Sequence, residues 1–241
     1  MRALRNADFL TLWENGQRLH PLDRALLAIR ASLPDSPDSQ VGDEPVADWT
    51  LGRRNRALAE LRTLYFGPRL EGWTACSQCG EKLEFEVDCR ALAETHQGTS
   101  TQPIAVHGNT FRLPTSRDLA RIAGETDPQQ ASLLLLQNCV IHHAASEPPC
   151  WSESEIEEVA EKLALADPLA EIALGFDCPV CRHTSEEVLD LSSFLWAEIE
   201  TRAKRLLLEI HALATNYGWA ESDILAMSDV RRATYLQMVQ A

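Results

Sequence analysis

The chain has 241 residues and an apolar share of 45%, enough to build a sizeable core in one large domain or two modest ones. Its 36 Asp and Glu against 22 Lys and Arg give a net charge of −14. Such a surface repels phosphate backbones and disfavours nucleic acid as a partner. No apolar run reaches the roughly 18 residues of a membrane span, so no membrane association is expected. The start, Met1 to Asp8, is not followed by a long apolar stretch or a small-residue cleavage site, so a cytoplasmic protein is expected.

Residues 8–31 read as two helices, with Asp8 as N-cap, Phe9, Leu12, Trp13, Leu22, Leu26, Leu27 and Ile29 at helical spacing, and Pro21 in the first turn of the second. Residues 34–45 read as a polar, proline-punctuated loop. A helix is predicted over 51–66, and its Arg53, Arg54, Arg56 and Arg62 read as a solvated face pairing with the acidic remainder. Gly67-Pro68 stops it. A strand from Leu70 to Ala75 runs into Cys76, and a second, Lys82 to Asp88, leaves Cys79 with Leu83, Phe85 and Val87 alternating. After a polar loop at 95–103, Ile104 to Val106 and Thr110 to Leu113 flank a His107-Gly108-Asn109 turn, a β-hairpin pattern.

Thr115 or Ser116 caps a helix near 116–124. Asp127-Pro128 opens another, with Leu133 to Leu136 and Val140 buried and His142-His143 at its apolar end, where ordinary packing or capping is expected. Ser152-Glu153-Ser154-Glu155 begins an acidic helix over 153–165. Strands are predicted from Ile172 to Phe176, into Cys178, and from Glu187 to Leu191, out of Cys181. The longest helix covers 192–216, stopped at Tyr217-Gly218-Trp219, with Gly218 suited to the left-handed C-cap. Two short helices follow near 220–227 and 229–239, with caps expected within a residue or two of Ser222 and Asp229. Their apolar residues are expected to fold back on the long helix, the alternative being a partner-binding surface.

The seven cysteines are an odd number in a chain with no export signal, which argues against a disulfide framework. Four fall in two Cys-x-x-Cys pairs, Cys76/Cys79 and Cys178/Cys181, while Cys89, Cys139 and Cys150 read as small buried apolar residues. Both pairs are written strand, tight turn with two cysteines, strand. Two such turns facing each other supply four sulfurs at tetrahedral positions about 2.3 Å from a zinc ion. The expectation is one structural Zn2+ held by Cys76, Cys79, Cys178 and Cys181 across the 98 residues between Cys79 and Cys178. Two unrelated pairs of buried thiols, or a redox dithiol, are the alternatives. Neither pair opens a helix in a βαβ setting. His183 reads as a surface or flanking residue rather than a ligand.

The fold class expected is α+β, mostly helical, with a small antiparallel zinc-ribbon-like β unit formed by the two distant turns. The chain divides into an N-terminal helical region, 1–66, a split zinc-ribbon unit, 67–191, carrying an insert over about 90–170, and a C-terminal helical region, 192–241. Phosphate-loop, dinucleotide, nucleophile-elbow and His-Glu-x-x-His motifs are missing. The acidic run Glu153, Glu155, Glu157, Glu158 and Glu161 reads as a solvated helix face. No catalytic or cofactor-binding residue is assigned and no enzyme is expected.

The tail from Glu209 to Leu236, with Tyr217-Gly218-Trp219 and Arg231-Arg232 before Tyr235-Leu236, resembles baseplate-hub assembly chaperones of contractile phage tails, the T-even type. Val106 to Ala123 with its Leu113-Pro114-Thr115 centre, and Phe66 to Gly72, are similar to such tail-assembly proteins. The likeness touches about half the chain, and residues 1–66 depart from the shortest members. It implies a non-enzymatic assembly or baseplate protein of a contractile injection system that binds hub, spike or tape-measure protein. Such a protein works in the cytoplasm or is built into a phage tail-like particle. The competing readings are a zinc-ribbon nucleic-acid binder or regulator, leaning on Arg53, Arg54, Arg56, Arg202, Lys204 and Arg205, and a metalloenzyme in which one cysteine pair does not ligate.

Overall fold

A computed structural model describes residues 1–33, 44–95, 102–142 and 151–240. Most of the 34–45 and 95–103 loops, with Cys150 and His143, lie outside the described residues. The fold is α+β, mainly helical with small antiparallel sheets. In chain order the elements are α1 (Asn6–Gly16), α2 (Pro21–Ser32), a 3-10 turn (Val46–Asp48), α3 (Leu51–Phe66), β1 (Arg69–Ala75), β2 (Lys82–Asp88), α4 (Cys89–Thr95), β3 (Ile104–Val106), β4 (Asn109–Phe111), α5 (Ser116–Ile122), α6 (Pro128–Cys139), β5 (Val140–His142), α7 (Glu153–Ala166), β6 (Ala173–Asp177), β7 (Thr184–Val188), α8 (Leu191–Tyr217), α9 (Glu221–Ala226) and α10 (Asp229–Gln240).

These elements form two compact units, Met1–Pro37 with Ser192–Ala241, and Asp38–Leu191. The grouping differs from three consecutive segments. The first two helices share a core with the C-terminal ones, whereas α3 belongs with the middle of the chain. The reason lies in α8, which is 27 residues long and apolar at Leu195, Ile199, Leu206, Ile210 and Leu213, all buried. In the same unit Phe9, Leu10, Leu12, Ala25, Ala28 and Ile29 of α1 and α2 are buried. Gly16 lies against the Trp196 ring, where a Cβ has no room. Asp8 is not the N-cap of α1. It sits in the first turn and its carboxylate accepts from the Arg5 N–H at 2.9 Å.

Beyond α8, Gly218 adopts φ 68 and donates to the Ala214 carbonyl, the left-handed stop expected from its sequence. The tail stays within this unit. Ile224 is fully buried, Arg232 is buried with its guanidinium on Glu209 (2.6 Å) and Asp229 (2.9 Å), and Tyr217 stacks on Trp219 at 4.5 Å. The caps lie within the residue or two allowed around Ser222 and Asp229: Ala220 precedes α9, and Ser228 Oγ accepts from the Arg231 N–H ahead of α10.

In the 38–191 unit, Thr50 caps α3 by accepting from the Arg53 N–H, and Gly67 at φ 89 ends it. Arg53 pairs with Glu44 and Arg56 with Glu60, as a solvated face would. Arg54 and Arg62 correct that reading, because both are buried. Arg54 donates to Asn55 Oδ1 and lies 3.5 Å from Ser116 Oγ, and Arg62 donates to the Gly67 carbonyl at 2.6 Å. Their stems bury area while their donors find acceptors.

The insert has its own core of Val106, Phe111, Leu113, Leu136, Cys139, Val159 and Leu163. The β3–β4 hairpin turns through His107 (φ 48) and Gly108 (φ 76), two left-handed residues that match the strand twist. Its third strand, β5, replaces the predicted helix end at Val140 to His142 and pairs with β4. Of the predicted buried run only Leu136 is fully buried, while Leu133 to Leu135 and Val140 are half-buried. Ser152 caps α7, whose Glu155 reaches back to the Ser152 N–H at 2.8 Å.

Candidate metal centre

The two Cys-x-x-Cys turns repeat one structure at an offset of 102 residues. In the first, the Cys76 N–H donates to the Glu81 carbonyl (2.8 Å) and the Gly80 N–H to the Cys76 carbonyl (2.8 Å). In the second, the Cys178 N–H donates to the His183 carbonyl (2.9 Å) and the Arg182 N–H to the Cys178 carbonyl (2.9 Å). Gly80 and Arg182 are equivalent and both left-handed, at φ 74 and φ 61. Each turn links antiparallel strands whose last pairs also correspond, Ala75 with Lys82 and Asp177 with Thr184. Strand β7 therefore restarts at Thr184, directly after the turn. The strand predicted from Glu187 to Leu191 is shifted, because the Cys178–His183 bond already begins the ladder.

The flanking side chains bring the turns together. Leu83 and Phe176 are buried with Cys76 and Cys178, and Phe85 and Leu174 pack on them. The Phe85 and Phe176 rings meet edge to face at 5.9 Å. Alternation along β2 pointed to Leu83 and Phe85. Phe176 and Leu174 of β6 have Thr74 and Gly72 at the 102-residue offset, so the repeat of the turns carries no signal for them.

All four sulfurs lie within 4.8 Å of one another, and Cys76–Cys181 and Cys79–Cys178 are each 3.6 Å apart. A tetrahedral ion with bonds of about 2.3 Å needs sulfur–sulfur edges of about 3.8 Å. The cage therefore matches a single ion, while a disulfide would need about 2.05 Å. Cys76 and Cys178 are buried, and Cys79 and Cys181 face solvent. His183 is not among the clustered donors, although its backbone closes the second turn.

No family model, curated protein or solved structure matches the chain.

Charge within the cage is uneven. N–H bonds from Gln78 and Cys79 hold the Cys76 thiol down to about 6, against the upward push of burial. The Glu81 N–H pulls Cys79 down as well, but burial and the three neighbouring sulfurs outweigh it and push that thiol up to about 12. Cys181, which takes the His183 N–H, is likewise pushed up on balance by burial and by Cys178 and Cys76. One thiolate forms readily and opposes the next. A divalent cation at the centre removes that conflict, so the donor set fits a metal.

The remaining described cysteines stand apart. Cys89 and Cys139 are fully buried, as small apolar residues would be, and burial pushes Cys139 up to about 12, where a thiol is inert. In the acidic helix, Glu155 serves its own cap, and Glu158 binds Lys162 (2.6 Å) and His107 (2.7 Å). No described helix is long and apolar enough to cross a membrane.

Proposed function

We propose that the chain is a zinc-stapled, non-enzymatic assembly or baseplate protein of a contractile phage tail-like injection system, binding hub, spike or tape-measure protein. The observation that carries the non-catalytic half of this reading is the closure of the cage. Four thiolates from Cys76, Cys79, Cys178 and Cys181, all within 4.8 Å, fill every position of a tetrahedral zinc and leave none for water or substrate. Zinc bound there supplies folding free energy and no reaction. The zinc-ribbon description follows from the same two turns, each set on its own antiparallel hairpin.

The assembly half is supported by the C-terminal pattern that carries the resemblance. A long helix ends at Tyr217-Gly218-Trp219, and a short helix and then the Arg231-Arg232…Tyr235-Leu236 helix follow it. The cations behind a nucleic-acid reading are engaged within the chain. Arg53, Arg56, Arg202, Lys204 and Arg205 each pair with a carboxylate, and Arg54 is buried. None of these five cations is left as an unneutralised phosphate contact.

Two measurements test the reading. Metal analysis of protein purified under reducing conditions should give one zinc per chain, with all four cluster thiols protected from alkylation until a chelator is added. Iron, or two protected thiols, contradicts it. Affinity purification from a host expressing the surrounding tail gene cluster should recover a hub, spike or tape-measure protein. Recovery of no tail component counts against the assembly role.

A further inference from the structure

We propose that the cage is also an oxidation site, in which peroxide converts the four ligands into disulfides that cross between the turns rather than closing within them. This inference rests on the zinc-cage reading. Both 3.6 Å contacts are cross-turn, Cys76 with Cys181 and Cys79 with Cys178. Each joins an exposed cysteine to a buried one. The exposed member meets the oxidant and the buried member stands beside it to resolve the product.

The chemistry balances with a peroxide as the named oxidant. In the zinc-loaded chain Cys79 and Cys181 would be thiolates because they ligate the ion, and one of them attacks the O–O bond, forming a sulfenic acid and releasing hydroxide. The buried sulfur then attacks the sulfenic sulfur, forming the S–S bond and expelling a second hydroxide. Each bridge removes two electrons from the thiol pair and consumes one peroxide. With four protons taken up, two peroxides give two disulfides and four waters, and the bound divalent ion is freed. The chain loses its metal but keeps β1–β2 tied to β6–β7, so oxidation preserves the clamp. In-turn bridges would instead release it.

The test uses the full chain, purified with its metal and treated with two equivalents of hydrogen peroxide. A chromogenic chelator follows zinc release, and non-reducing mass spectrometry maps the bridges. Trypsin leaves both cysteines of each turn on one fragment, residues 70–82 and 163–182. Cross-turn bridges join these two fragments, and in-turn bridges leave them separate. The expected result is one zinc released per two peroxides, joined fragments, and full return of zinc binding after dithiothreitol. Separate fragments each carrying a disulfide, or sulfinic acids without bridges, overturn the proposal and leave the zinc reading standing. Protein that carries no zinc as purified sinks the zinc reading and this proposal with it, whereas separate fragments from zinc-loaded protein sink the proposal alone.

Discussion

Asp118 is the residue whose removal should cost the 38–191 unit most per atom deleted. Its carboxylate is fully buried and accepts five hydrogen bonds: from Arg112 Nη1 (2.6 Å) and Nη2 (2.8 Å), Arg121 Nη1 (3.2 Å), and the Thr115 N–H (2.9 Å) and hydroxyl (2.8 Å). Asp118→Ala strips a buried charge from its partners, for which about 3–5 kcal/mol is typical. Arg112 is 37% exposed and keeps the Leu113 and Asn138 carbonyls, so water and those acceptors recover part of the loss. The low end, about 3 kcal/mol, is the expected value. With a urea slope of about 2 kcal/mol/M, the midpoint should fall by about 1.5 M. Arg121→Ala is the control. Its arm is 58% exposed, and its midpoint should move by less than about 0.3 M. A midpoint shift for Asp118→Ala no larger than that of the control would refute the reasoning. The pH dependence carries the same sign. Burial raises the Asp118 pKa, but bonds from Arg112 and Thr115 outweigh it, and the folded value lies below 3.8. The contribution is therefore complete above 3.8 and is lost as pH falls through the lower folded value. Asp118→Asn should flatten that acid limb.

Three further outcomes follow from the geometry. Stripping the metal with a strong chelator under reducing conditions reopens a loop with 98 residues between Cys79 and Cys178, worth about 4–5 kcal/mol. Calorimetry should show a fall in Tm on the order of 10 °C, and an unchanged Tm would mean the site bridges nothing. The equivalent residues Gly80 and Arg182 should respond oppositely. Gly80→Ala forces a side chain into φ 74 where nothing else is in reach, at about 1 kcal/mol, while Arg182→Gly relieves φ 61 and should be neutral or stabilising in chemical denaturation. Arg232→Met leaves Glu209, 13% exposed, without the guanidinium that sits 2.6 Å away, at about 2 kcal/mol, and amide exchange should speed up across α9 and α10 but not across residues 104–142.

The cysteine cluster was legible because each half is local: two cysteines three apart, a tight turn, and alternating residues on the strands either side. Reading the pairs at the same 102-residue offset would also have found Arg182 as the counterpart of Gly80 and Thr184 as the start of β7. Strand β5 was hidden for the opposite reason. Val140 to His142 continue a helical apolar period, and only pairing with β4 makes them a strand. Thr115-x-x-Asp118 announces a cap, but the reach of Arg112 to that carboxylate depends on where β4 ends, which no local pattern records.

Within α3, nearby acceptors decide which arginines are buried. Arg62 is buried because the Gly67 carbonyl at the end of its own helix is free to accept, and Arg54 because Asn55 and Ser116 stand beside it. Composition treats all four arginines of α3 alike and cannot separate these two from Arg53 and Arg56. The same limit explains the unit boundaries. Helical periodicity shows that α1, α2 and α8 each have an apolar face, but not that those faces share one core across more than 150 residues of chain. Once they do, both cysteine turns fall inside Asp38–Leu191, and the loop between the clustered cysteines is internal to one unit. A metal held there would act on the unit that holds the insert, and among the described residues the other unit brings no metal-ligating cluster together.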